Sequence, residues 1–206
     1  MMRPPGLALL LLLAAGARAE AKVLDLYAQA QGGGSFGKGI KGDQKDTDFF
    51  DKTAGGAYGV LVGAEVFWID GWIEHNQYRG GDGLTGTWTQ FMAGFDLDFA
   101  IGDAPGPKQK PNTYAQIGVA LGFGLGTGQQ VDPPLDNAEI SDKGFLAQVS
   151  FAGDYKLNRV LALGISVPVT WGYLQKNDVV SNMSSAWYQS VSAAALLHLR
   201  FDIDIK

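Results

Sequence analysis

From about residue 22 onward, bulky apolar residues alternate with small or polar ones, in segments of roughly ten residues divided by turn-forming residues. A period of two places alternate side chains on opposite faces of a strand. Helical periodicity is absent, so the chain is restricted to a sheet with two unlike faces. The C-terminal segment shows this best. Val191, Ala193, Ala195, Leu197, Leu199, Phe201, Ile203 and Ile205 form one face, and Ser192, Ala194, His198, Arg200, Asp202 and Asp204 the other, with Leu196 the one bulky exception.

Six further segments sort in the same way or nearly so: residues 22–31, 58–68, 90–99, 113–126, 145–155 and 161–171. Residues 72–79 are the eighth and sort least cleanly. Turns are expected at Asp70-Gly71 and Leu157-Asn158-Arg159, a longer proline-bearing connection at 103–112, and long loops at 32–54, 80–86, 127–143 and 174–186. Short turns alternating with long loops are the mark of a closed, antiparallel, up-and-down barrel of about eight strands.

The identity of the wet face decides what kind of barrel this is. A soluble barrel turns its bulky residues inward, whereas a transmembrane barrel presents them to lipid around a polar lumen. Here the second face is rich in Gly, Ala, Gln and Asp, which favours the transmembrane form. Aromatic spacing agrees: Tyr58 and Trp68 are ten residues apart, as are Phe145 and Tyr155. Ten residues tilted by ~40° climb about 25 Å, the height of an apolar band between two aromatic girdles. Trp72, Phe99 and Phe201 are assigned to one girdle, and Tyr78, Trp171, Tyr173 and Trp187 to the other.

The N-terminus fits export to such a membrane. Positive Met1-Met2-Arg3, an apolar run from Gly6 to Ala15 and the small pair Ala17/Ala19 read as a signal peptide over residues 1–19, leaving 20–206 as the barrel domain. The chain has no cysteine, which removes disulfides and thiolate metal sites. A net charge of −5 without a basic patch gives no reason to expect nucleic-acid binding.

In these features the chain resembles the small outer-membrane barrel superfamily of the OmpA or OmpX type, over its whole mature length. The resemblance lies in pattern rather than in a motif, and it implies a bacterial outer-membrane location among lipid and lipopolysaccharide.

Two groups of residues stand out. Glu65, Asp96, Asp98, Asp154, Asp202 and Asp204, with Lys156, His198 and Arg200, fall on the inward face and are expected to form a lumen charge network, because unpaired buried ions are costly. In residues 72–79 either register sets polar groups against lipid. Placing Trp72 and Tyr78 in the girdles turns Glu74 and Asn76 outward and makes Trp72, Glu74, Asn76 and Tyr78 a possible face for an envelope partner or a second copy. The 32–54 loop carries Gly32-Gly33-Gly34 and Phe49-Phe50. Asp132, Asp136, Glu139 and Asp142 make the 127–143 loop acidic, without calcium-loop spacing.

No H-E-x-x-H, nucleophile elbow or phosphate loop occurs, and the only histidines are His75 and His198. No cofactor and no catalysis are expected. The leading expectation is a non-enzymatic envelope barrel, structural or serving as a docking platform, with a narrow passive pore or a lipid A-modifying enzyme as alternatives.

Overall fold

The computed structural model describes residues 24–41, 53–66, 68–80, 84–102, 111–130, 139–178 and 186–205. The expected signal peptide, Phe49-Phe50, Asp132 and Asp136 lie outside them. Eight strands follow in chain order: β1 Leu24–Lys41, β2 Thr53–Val66, β3 Ile69–Gly80, β4 Leu84–Ile101, β5 Thr113–Gln130, β6 Glu139–Lys156, β7 Leu161–Asp178 and β8 Ala186–Ile205. Each pairs antiparallel with its neighbours, and β8 closes on β1, so the eight strands form a closed barrel with no unpaired edge.

The register fixes the shape. From Leu26, successive partners Ala64, Gly71, Ala93, Leu121, Ala147, Trp171 and Val191 lead back to β1 at Lys38, twelve residues beyond the start. Twelve residues at ~3.3 Å slide about 40 Å, against about 38 Å for eight strands spaced ~4.8 Å, so the strands tilt by about 45°. An 18-residue strand then rises about 42 Å, more than the ~25 Å of an apolar band. The barrel therefore extends well past such a band.

Most strands are longer than the sequence reading gives them. Gly32-Gly33-Gly34 sits within β1, not in a loop, because β2 and β8 satisfy its backbone on both sides. Asp142 likewise belongs to β6 rather than to an acidic loop. One end of the barrel is formed by the start of β1, the end of β8 and the strand ends that β2 and β3, β4 and β5, and β6 and β7 share. The opposite end, called the mouth below, is formed by the other strand ends. In the β6–β7 turn, Asn158 Oδ1 accepts hydrogen bonds from the backbone N–H groups of Val160 and Leu161, both at 2.9 Å, an Asx-type closure. Gly102 follows β4 with φ +83°, where a side chain would be strained.

The outer face is apolar, as expected. Val60, Val62, Phe91, Phe95, Leu121, Phe145, Phe151, Leu163, Ile165, Leu197 and Leu199 are all exposed. Tyr173 and Trp187 stack on that face with centroids 4.8 Å apart. Strand β3 corrects the reading of its face. Val66 pairs with Ile69 across the turn, so Asp70 and Gly71 are strand residues rather than the turn itself. Ile69, Ile73, His75 and Gln77 point outward, and Trp72, Glu74, Asn76 and Tyr78 point into the lumen. The proposed partner face is thus an inner wall. The reason is physical: with Asn76 3% and Glu74 5% exposed, the inward register gives both groups hydrogen-bond partners that lipid would deny them.

Candidate functional site

The polar alternates of all eight strands converge in the lumen, where three layers are distinct. At the turn end, Tyr27 Oη donates to Asp70 Oδ2 at 2.6 Å, and the Arg200 guanidinium lies 4.1 Å from the centroid of the Tyr27 ring. Arg200 Nε donates to Asp202 Oδ1 at 2.6 Å, and His198 Nε2 lies 2.6 Å from Asp154 Oδ1. Lys156 Nζ sits 5.0 Å from the centroid of the Tyr114 ring. Glu65 faces this layer opposite Asp25 and Asp70, and Asp98 stands at its exposed end.

Several of these contacts join strands that are not neighbours, and a glycine on the strand between makes each possible. Gly164 pairs with both Asp154 and His198, and a Cβ there would lie 2.0 Å from Asp154 Oδ1 and 2.5 Å from His198 Nε2. Tyr27 reaches Asp70 over Gly63, where a Cβ would meet the phenol at 2.4 Å. Asp96 and Ser150 approach across Gly118 in the same way. The inward glycines thus leave room for side chains that staple the lumen.

The middle layer centres on Glu74. Its Oε1 accepts from Gln31 Nε2 at 2.6 Å and from Asn76 Nδ2, and its Oε2 accepts from Gln90 Nε2. Gln31 also donates to Asn76 Oδ1 at 3.0 Å and accepts from Gln29 at 2.9 Å, while Trp88 Nε1 donates to Gln90 at 3.3 Å. A carboxylate is held here by three neutral amides.

The third layer, toward the mouth, departs from the expectation of a wholly polar lumen. Trp88, Met92, Ala120, Leu146, Leu174 and Tyr188 form a buried apolar cluster, with Trp72 and Tyr78 against it. Tyr188 Oη donates to Asp142 Oδ2 at 2.7 Å, so the acid assigned to a loop is an anchor for this cluster. An apolar plug on one side leaves space on the other. A cup of about 830 Å³, counting its open mouth, is lined by Ser35, Ala57, Tyr78, Trp88, Ser192 and Leu196 among others, with Glu74 and Gln90 also in its wall. Below it lies a second cavity, about 590 Å³ when the space open to solvent is counted, walled by Asp70, Trp72, Asp96, Asp154, His198 and Arg200 among others.

The expected network is therefore split. The structure brings together His198 with Asp154 and Arg200 with Asp202, and sets Lys156 against the Tyr114 ring. Sequence reasoning missed Tyr27, Gln31, Asp70, Gln90, Trp88 and Tyr188. The signal for Asp70 was present: Ile69, Gly71 and Ile73 alternate with Asp70, Trp72 and Glu74, a more apolar outer face than the reverse choice.

No protein-family model and no curated protein sequence matches the chain. Solved structures do. Neisserial surface protein A (NspA) aligns at 11% identity over 85% of this chain and 96% of its own, with a TM-score of 0.57. The outer membrane protein OprG from Pseudomonas aeruginosa aligns at 8% identity over 90% and 98%, with a TM-score of 0.48. The N-terminal β-barrel domain of Pseudomonas aeruginosa OprF aligns at 12% identity over 87% and 97%, with a TM-score of 0.46. At such identities the likeness is one of fold: the chain shares the closed eight-stranded barrel of small outer-membrane proteins.

Proposed function

We propose that the chain is an exported, non-enzymatic integral barrel of a bacterial outer membrane, contributing to the structure of the envelope. The observation that carries this reading is the outer face, where large apolar side chains on all eight strands stand exposed around a polar, hydrogen-bonded interior. In water so large an apolar surface is unfavourable, and in lipid it is the stable arrangement.

The non-enzymatic reading is supported by the place of the His198–Asp154 pair. Both side chains lie within the lumen, where His198 is 3% exposed and acyl chains on the outer wall do not reach it. Near the mouth the outer face of β3 and β4 is polar: His75 bonds Thr89, Tyr58 bonds Gln77, and Arg79 and Thr87 lie beside them. Lipopolysaccharide headgroups are the neighbours proposed for this strip.

Fractionation tests the proposal. The full chain, expressed with its N-terminus in a Gram-negative host, should sediment with outer membranes on a density gradient and resist extraction by alkaline carbonate. Recovery in the soluble periplasmic fraction would overturn the reading.

A further inference from the structure

We propose that the cup in the barrel mouth is a binding site for a small organic ammonium ion, its charge held by Glu74 and its apolar body lodged against Trp88 and Tyr78. The inference goes beyond the structural role above. It stands on the interior of the barrel and does not depend on what surrounds the outer face.

Unlike side chains shape the cup. From β1, β2 and β8 come Ser35, Gly55, Ala57 and Ser192, all small, whereas β3 and β4 contribute Tyr78 and Trp88. The difference leaves a slot between a low wall and an aromatic one, which suits a flat apolar group. The aromatic wall is held in place. Trp88 rests against β5 over Gly124 and Gly126, where a Cβ would lie 2.2 Å from Cζ2 and 2.3 Å from Cε3 of the ring. Its Nε1 donates to Gln90 at 3.3 Å, and Gln90 in turn donates to Glu74. One run of hydrogen bonds thus ties the aromatic wall to the carboxylate.

The floor supplies the charge. Glu74 and Arg79 are the charged residues in the lining; Glu74 is 5% exposed, and Arg79 stands exposed near the end of β3, at the rim. An ionised carboxylate offers about four lone-pair sites. Gln31 and Asn76 occupy two at Oε1 and Gln90 one at Oε2, so Oε2 keeps an acceptor position. All three donors are neutral, and among the described residues no cationic side chain is bonded to Glu74. A buried anion with neutral donors alone gains from a cation brought beside it. An ammonium N–H meets the remaining acceptor position, and aromatic faces beside the cation add to the attraction. An anionic ligand would face the carboxylate instead.

Titration calorimetry of the refolded full chain in uncharged detergent micelles at neutral pH, blanked against protein-free micelles, tests this with three probes of one shape: benzylammonium, benzyl alcohol and benzoate. Folding of each variant is verified by the different gel mobility of unboiled and boiled samples. Benzylammonium should bind one site per chain, about tenfold more tightly than benzyl alcohol, the scale of one charge-assisted hydrogen bond, and benzoate should not bind. Glu74→Gln should erase the preference for the amine over the alcohol. Ser35→Leu, which fills the slot from the low wall and leaves Glu74 in place, should weaken both probes. No binding of benzylammonium, equal affinity for amine and alcohol, a preference that survives Glu74→Gln, or binding unchanged by Ser35→Leu would each overturn the proposal. Should Glu74→Gln not fold, the native preference and Ser35→Leu decide it. A chain found soluble in fractionation would count against the membrane reading and leave this test as it stands.

Discussion

Arg200 and Asp202, two residues apart on β8, hold each other at 2.6 Å inside the barrel, with side chains 14% and 12% exposed. The pair is local in sequence yet depends on the whole barrel, since the Tyr27 ring from β1 packs under the guanidinium. Removing the cation leaves Asp202 buried without its partner. Arg200→Ala should therefore lower the stability of the barrel by about 3 kcal/mol, read as a shift in the urea midpoint during unfolding from lipid vesicles.

One residue earlier, Leu199 points outward and is 45% exposed. A charge there faces hydrocarbon. Leu199→Arg should cost ~2 to 4 kcal/mol if it lies near the bilayer midplane, in the same vesicle titration. A silent Leu199→Arg would mean that the register of β8 is displaced by one residue.

The glycine under the His198–Asp154 contact gives a test of packing. Gly164→Ala puts a methyl group into that contact and should destabilise the barrel by about 1 to 3 kcal/mol. In a His198→Ala background the same change should cost less, because Asp154 is then free to swing away from the methyl group, while the Gly153 carbonyl oxygen still crowds it. A double-mutant cycle measures this coupling, and additive losses would show that the two residues do not meet.

Strand β3 is the place where sequence and structure part, and labelling tests it directly. The chain has no cysteine of its own, so single cysteines report cleanly. Ile73→Cys should react with a lipid-phase reagent in membranes, and Asn76→Cys, which faces the lumen, should not. Equal labelling at both positions would contradict the inward placement of Glu74 and Asn76.

Much of the barrel was legible because period-two alternation needs only neighbours along the chain. All eight strands, the inward placement of Asp154, His198, Arg200 and Asp202, and the apolar outer face follow from it. Strand ends were not legible. The β1 glycines read locally as a loop, and only pairing with β2 and β8 makes them strand. The face of β3 was misplaced because Trp72 and Tyr78 are large enough to suit a girdle, yet they pack instead on a lumen cluster assembled from β4, β5, β6, β7 and β8. The Gln31–Glu74 bond and the glycine-spanned contacts were beyond reach for a similar reason. They join strands two apart in the barrel, and that proximity is set by register and closure, which no local window contains.

These strands close into a barrel with an apolar outer face suited to lipid. Electrophoretic mobility of the refolded chain, compared before and after boiling in a denaturing detergent, tests it most directly. A closed barrel has no frayed edge for detergent to open. The unboiled chain should therefore migrate as a compact species distinct from the boiled one, and should do so only after refolding in lipid or detergent micelles. Identical mobility of the two samples, from a chain that stays soluble and monomeric without detergent, would contradict the claim.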